Sequence, residues 1–208
     1  MLKTKAEKTS AMDITPKSQE ILTTLMEKCG QVAKPLAHVA KFGAKQVHIF
    51  IIDVDLLPEF LGESLRVHAA HSTVFNELAD IKRPVVYVFE IVSAHSSKSV
   101  RDAAKSYKDK VLRAMPAFRE ESKVDYSSRV LYVGKVSTKS GFLARVYQHL
   151  GFWGAKKTQG MQLYHYARGL ELKLELTVFE FEDDMADLLP ILENTIAVHL
   201  RPLLGKHQ

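Results

Sequence analysis

Three short runs of β-branched and aromatic residues constrain this chain most. They are Val47–Val54 (VHIFIIDV), Val85–Val92 (VVYVFEIV) and Val130–Val136 (VLYVGKV). Runs of this length, bounded by turn residues, suit strands rather than helices. Stretches of helical spacing separate them. Residues 17–32 carry Ile21, Leu22, Leu25 and Met26 at helical spacing after Thr15-Pro16, an N-cap and first-turn signal. Pro35 and Gly43 are expected to break that pattern. A helix is expected over 64–79, with Leu65, Val74, Phe75 and Leu78 on its buried side. Another is expected over 97–121, interrupted near Pro116, and a short one over 141–150. Strands are expected around 161–166 and 170–181. A last helix runs over 184–200 and stops at Arg201-Pro202. The order predicts an α+β domain with a small, mostly antiparallel sheet flanked by helices, over residues 81–208. A helix-containing N-terminal region, 1–80, precedes it, and a basic helical insertion occupies 97–121.

At 208 residues the chain suits one domain with a sizeable extension. Its 46% apolar and 25% charged residues argue against disorder and low complexity. A single cysteine, Cys29, excludes an intramolecular disulfide and a four-cysteine zinc site. No apolar run approaches the ~20 residues needed to cross a bilayer. The opening MLKTKAEKTSAMD has no signal-peptide core. A soluble cytoplasmic protein without a membrane role is therefore expected. Charge is uneven along the chain. Residues 98–173 hold 16 basic and 6 acidic side chains, net +10, whereas 174–208 hold 2 and 7, net −5. A basic middle is the footprint of a phosphate-rich partner. The competing reading is a solvated lysine-rich helix.

Common catalytic motifs are absent: there is no phosphate-binding glycine loop, no GxGxxG and no GxSxG. Cys29 falls in a helix and reads as a buried structural cysteine rather than a reactive one. His68 and His71, at i and i+3 with Glu63 nearby, have spacing compatible with a metal but no further ligand motif. Asp53 and Asp55 share a strand face and read as a solvated edge. The acidic run Glu180, Glu182, Asp183 and Asp184 reads as a turn before a helix N-terminus.

One ordered set stands apart. Tyr87 lies in the second run and Tyr132 in the third, within Leu131-Tyr132-Val133-Gly134-Lys135. Arg145 and His149 lie four residues apart on one helix, Glu193 lies in the last helix, and RPLLGK follows it. This set resembles the GIY-YIG nuclease family over about residues 84–206. Its most specific parts are VLYVGKV, FLARVYQHLG, and the Glu193 helix with its RPLLGK ending. The stretch LYHYARGLELKLELTVFEF looks like that family's middle strands. The resemblance implies a small sheet carrying two tyrosines, a helix supplying an arginine, and a later helix whose one glutamate binds the metal. Arg145 with His149 resembles the subset that includes restriction endonucleases. The chain departs from the pattern at Val85, Val86 and Val133, and at Gly205, where many members carry asparagine. It also separates Tyr87 from Tyr132 by a basic insertion.

The chemistry of the residues fits that implication. Phosphodiester hydrolysis needs an oriented water and stabilised phosphoryl charge. Arg145 offers a planar fork suited to phosphate. Glu193 supplies one hard oxygen ligand, compatible with Mg²⁺, for which Mn²⁺ can substitute. His149 is expected to assist proton transfer. Lys135 is expected to tune a tyrosine, although strict strand alternation puts it opposite Tyr132 unless Gly134 marks a bulge. Lys139, Lys156, Lys157 and Arg168, with Lys105 and Lys108 of the insertion, are expected to hold the DNA backbone, double-stranded rather than single-stranded. Phe152 and Trp153 read as core or domain-contact aromatics rather than a base-stacking platform. The expected activity is metal-dependent endonuclease cleavage in restriction, defence or repair, with the N-terminal region supplying dimerisation or target recognition. The rivals are a catalytically silent nucleic-acid-binding protein on the same fold, and a partner-binding module without a nucleic-acid role.

Overall fold

A computed structural model describes residues 16–59, 64–111, 114–137, 141–152 and 159–205. Its elements run α1 (Pro16–Phe42), β1 (Gln46–Asp53), α2 (Ser72–Asp80), β2 (Val85–Ile91), α3 (Ser97–Lys110), β3 (Val130–Val136), α4 (Phe142–Leu150), α5 (Leu163–Ala167), β4 (Lys173–Glu180) and α6 (Leu189–Leu200). The fold is α+β with one four-stranded sheet, ordered β1-β4-β2-β3 and antiparallel at every pairing.

The chain divides into two units, Met1–Lys41 and Phe42–Gln208. The boundary expected near residue 80 therefore falls earlier. The reason is β1, which pairs with β4 along its whole length, from Gln46 opposite Glu180 to Asp53 opposite Lys173. That pairing commits residues 46–53 to the same sheet as the rest. In the first unit, α1 continues through Pro35, although proline removes one helical donor. Ile21, Leu22, Leu25, Met26 and Val32 are exposed on it.

Side-chain alternation gives the sheet two faces. Phe50, Ile52, Leu174, Leu176, Val178, Tyr87, Phe89 and Ile91 share one, and all are buried. Phe75 and Leu78 of α2 and Phe142, Val146 and Leu150 of α4 join the same core. The other face is partly covered by α6, which packs against β3 and β2. Over β1 that second face leaves Val47, Ile49 and Ile51 half or more exposed.

Local signals explain most element ends. Ser96 caps α3 by accepting from the Ser99 N–H at 3.1 Å. Gly151, at φ 97°, closes α4 and donates its N–H to the Tyr147 carbonyl at 3.0 Å. After α6, the RPLLG tail turns back along β3. The N–H groups of Leu203 and Leu204 donate to the carbonyls of Val130 and Leu131 at 2.9 and 3.0 Å. Gly205 is buried at φ 122°, a conformation that favours glycine, with its N–H on the Ala117 carbonyl at 2.9 Å.

Four expected elements differ, among them the last helix, which begins at Leu189 rather than 184. The helix expected over 64–79 begins only at Ser72, after hydrogen-bonded turns over 64–71. The strand expected at 161–166 is the short helix α5, because Leu163 and Ala167, four apart, both turn into the core. The insertion is helical only to Lys110, beyond which Val111 is extended.

β4 lies between β1 and β2, and Leu176 sits opposite both Phe50 and Phe89 with no exposed surface. Leu176→Ala should lower the unfolding free energy by about 2–5 kcal/mol, read by urea denaturation. A loss well under 1 kcal/mol would mean that β4 is not an interior strand.

Candidate active site

β2 and β3 bring the two tyrosines to one face. Tyr87 is paired with Gly134 and Tyr132 with Phe89, so the tyrosines are diagonal neighbours with ring centroids 6.3 Å apart. Gly134 permits this closeness. A Cβ there would lie 2.4 Å from the Tyr87 Oη and 2.7 Å from Tyr132 Cε1. The bulge considered at Gly134 lies elsewhere, where the register shifts between Phe89 and Glu90. Regular alternation at Gly134 therefore holds, and Lys135 falls on the face opposite Tyr132.

α4 supplies the next two groups from one helical face. His149 Nε2 is 2.8 Å from the Tyr87 Oη, and both side chains are fully buried. The Arg145 guanidinium spans both tyrosines. Its Nε donates to Tyr87 Oη at 3.3 Å, and one terminal nitrogen donates to Tyr132 Oη, also at 3.3 Å. The same terminal nitrogen donates to the Gln159 carbonyl at 3.1 Å, and the other donates to Gln148 Oε1 at 2.9 Å. His149 Nδ1 accepts from the Met161 N–H at 3.4 Å. With Nδ1 accepting, the ring proton of the neutral imidazole resides on Nε2.

Burial dominates the electrostatics. It raises the Tyr87 phenol well above its ordinary value, and the Tyr132 charge adds to this while Arg145 opposes it. Burial raises Tyr132 too, again opposed by Arg145. Burial holds His149 well below its usual range, and the positive charge of Arg145 pushes it further down. His149 is thus a neutral hydrogen-bond partner of Tyr87 and is poorly suited to carry a proton near neutral pH.

α6 carries Glu193 within electrostatic range of this group. The carboxyl is half-buried, and burial raises its pKa while Lys135 and Arg145 lower it. Its charge is felt in turn by both tyrosines. Lys135 acts on Glu193, and its ammonium donates to Ser137 Oγ at 2.9 Å. Arg145, rather than Lys135, is the cation bonded to the tyrosines. Four of the sequence-selected residues, Tyr87, Tyr132, Arg145 and His149, are thereby joined by hydrogen bonds, while Glu193 interacts with them, and Lys135 with Glu193, through charge at longer range. Among the described residues no group of three or more His, Cys, Asp or Glu side chains could enclose a metal ion. A single carboxylate can still hold Mg²⁺ when water and substrate phosphate complete its shell.

The expected DNA-contact residues scatter. Lys139, Lys156 and Lys157 lie outside the described residues. Arg168 donates to Tyr164 Oη at 2.8 Å and stacks over that ring. Lys108 sits 4.9 Å above the centre of the Phe118 ring. Lys105 is exposed on α3, beside Asp102 and Asp109. Arg101, counted with the insertion's basic face, is buried and bonded to Glu121, Tyr126 Oη and the Arg119 carbonyl.

The residues that sequence reasoning missed are Gln148 and the 159–161 segment. Gln148 was legible, being three residues beyond Arg145 on the same helix. The contacts of Gln159 and Met161 had no local signal. Compared with family models, curated proteins and solved structures, the chain matches none. No described helix is long and apolar enough to cross a membrane.

The His149 shift has a consequence for stability. Unfolded, this histidine titrates near 6.5; folded, it stays neutral far lower. Below pH 6.5 the unfolded chain binds a proton that the folded chain does not, so stability falls as pH falls. The slope from this group is at most about 1.4 kcal/mol per pH unit, and it vanishes above pH 6.5. Urea denaturation between pH 4.5 and 8 should show a shallower acid limb in His149→Gln than in the parent. Equal limbs would mean that His149 ionises freely in the fold.

Proposed function

We propose that the chain is a metal-dependent endonuclease that hydrolyses DNA phosphodiester bonds at the cluster of Tyr87, Tyr132, Arg145, His149 and Glu193. The observation that carries this is convergence. Four residues from β2, β3 and α4 are joined by hydrogen bonds, and Glu193 of α6 lies within electrostatic range of both tyrosines and Arg145. The GIY-YIG resemblance implies a role for each. In this reading the tyrosine hydroxyls orient the attacking water. Arg145 holds both hydroxyls and offers its remaining N–H to a phosphoryl oxygen. His149 fixes the Tyr87 hydroxyl. Glu193 holds Mg²⁺, or Mn²⁺ in its place, which when bound neutralises charge on the phosphate and the departing oxygen. Lys135 opposes the rise that burial imposes on the Glu193 carboxyl. Lys105, Lys108 and Arg168 bind the backbone of double-stranded DNA, and the biological setting is restriction, defence or repair in the cytoplasm. The alternative is a silent nucleic-acid-binding protein on the same scaffold. One observation favours it: Arg145 already spends four of its N–H contacts on protein acceptors.

A single site cuts one strand, so a second copy of the chain serves double-strand cleavage. α1 suits that role. Leu22, Leu25, Cys29, Val32 and Leu36 recur at three-and-four spacing, the seam of a helix pair. Leu25→Asp should convert a dimer to a monomer in size-exclusion chromatography with light scattering. A parent protein that is monomeric at high micromolar concentration would remove this part of the reading.

The deciding experiment is cleavage of single- and double-stranded DNA with Mg²⁺, Mn²⁺ or EDTA, run beside Glu193→Ala and Arg145→Ala. Metal-dependent cutting should fall by at least about 10²-fold in each variant. Salt-sensitive DNA binding without cutting, in parent and variants alike, would move the function to the silent alternative.

A further inference from the structure

We propose that Gln148 and the 159–161 segment form a brace that positions Arg145 and fixes the tautomer of His149, so that the Tyr87 oxygen is an acceptor from both. The functional half of this rests on the endonuclease reading; the tautomer half does not.

The segment makes three kinds of contact with α4. The Gln159 carbonyl accepts from Arg145 at 3.1 Å. The Met161 N–H donates to His149 Nδ1 at 3.4 Å. Between them Gly160 is pressed against the helix backbone, where an added Cβ would lie 2.0 Å from the Gln148 carbonyl oxygen and 2.6 Å from its carbon. Any side chain at 160 must therefore push the segment away from α4 and carry both flanking contacts with it. Met161 and Leu163, fully buried, anchor the segment from below. Gln148 closes the outer side by accepting from the second terminal nitrogen of Arg145 at 2.9 Å.

The tautomer follows from donor and acceptor counting. A backbone N–H can only donate, so Nδ1 must accept and Nε2 must carry the proton. Tyr87 Oη then receives one bond from His149 Nε2, at 2.8 Å, and one from Arg145 Nε, at 3.3 Å. With both acceptor positions filled, the phenolic proton has to point away from α4. Without the brace, His149 is free to protonate Nδ1 instead. Tyr87 would then have to donate to Nε2, and its proton would turn inward. Gln148 and the segment are thus positioning residues acting through Arg145, His149 and Tyr87.

The test uses the full-length protein, with a readout that does not depend on cleavage. Nitrogen-15 NMR of the imidazoles should show His149 of the parent as a single neutral tautomer protonated at Nε2. In Gly160→Ala that signal should shift toward a mixture of tautomers. A parent His149 protonated at Nδ1, or an unchanged tautomer in folded Gly160→Ala, would overturn the brace whether or not the protein cuts DNA. Should Gly160→Ala fail to fold, the parent tautomer and the Gln148 variants decide. Gln148→Ala should lower kcat on the order of 10- to 100-fold with KM little changed. Gln148→Glu, which keeps an acceptor at the same place, should recover most of that loss. Equal defects in the two variants, or a purely KM effect, would overturn the positioning role. A parent that cuts no DNA, yet shows the expected tautomer, refutes the endonuclease reading and leaves the brace standing.

Discussion

A hydrogen bond of 2.8 Å between Tyr87 Oη and His149 Nε2 ties the sheet to α4 in a place from which water is excluded. Burying two polar groups is costly unless each finds a partner. Here each does. Tyr87 is also bonded by Arg145, and His149 by the Met161 N–H. The remaining walls are apolar or aromatic: Phe89 and Phe142 flank the Tyr87 ring at 5.9 and 5.3 Å. Much else follows from accommodating this pair. Gly134 must lack a side chain because the Tyr87 hydroxyl occupies that space. Gly160 must lack one because the segment that satisfies His149 lies against the helix backbone. The same dryness holds the tyrosines protonated and the histidine neutral.

Much of this arrangement was readable from the residues. β2 and β3 end within one residue of where their apolar runs placed them, because β2 is interior and β3, though at the sheet edge, is buried along most of its length. The i, i+4 pairing of Arg145 and His149 placed them on one face, and Gly151 marked the end of that helix. What failed was non-local. Nothing near residue 46 announces that β1 will pair with β4, at the far end of the chain. Residues 161–166 alternate well enough for a strand. They fold as α5 because Leu163 and Ala167 find the core together, and because Gln162 takes a left-handed conformation at φ 62°. Strict alternation placed Lys135 opposite Tyr132, and alternation held.

The basic middle of the chain is less available to a partner than its net charge suggests. Arg101 is spent on Glu121, Tyr126 and a carbonyl, and Arg129 on the carbonyls of Ile91, His95 and Ser93. Guanidinium groups used this way knit loops to strands, a task suited to their rigid fork of donors. Lys98 pairs with Asp102 one helical turn away. A charge census reads composition and cannot separate these internal cations from those facing solvent.

The tension within the site lies at Arg145. Four contacts to neutral oxygens hold it in place, and a phosphate would compete for the same donors. The exchange favours phosphate, since in a guanidinium–phosphate bond both partners are charged and the fork can bind two oxygens at once. The geometry also makes the exchange partial. The Gln159 carbonyl and the Tyr132 hydroxyl share one terminal nitrogen, whereas Gln148 takes only one of the two N–H groups on the other. A phosphoryl oxygen can therefore meet the free N–H before any existing bond is broken. Rotation of the half-buried Gln148 side chain would then release a second donor for the same phosphate. Arg145 could in this way engage charge at its outer edge while its inner edge still holds both tyrosine oxygens, which is what an arginine serving water orientation and phosphate binding together requires.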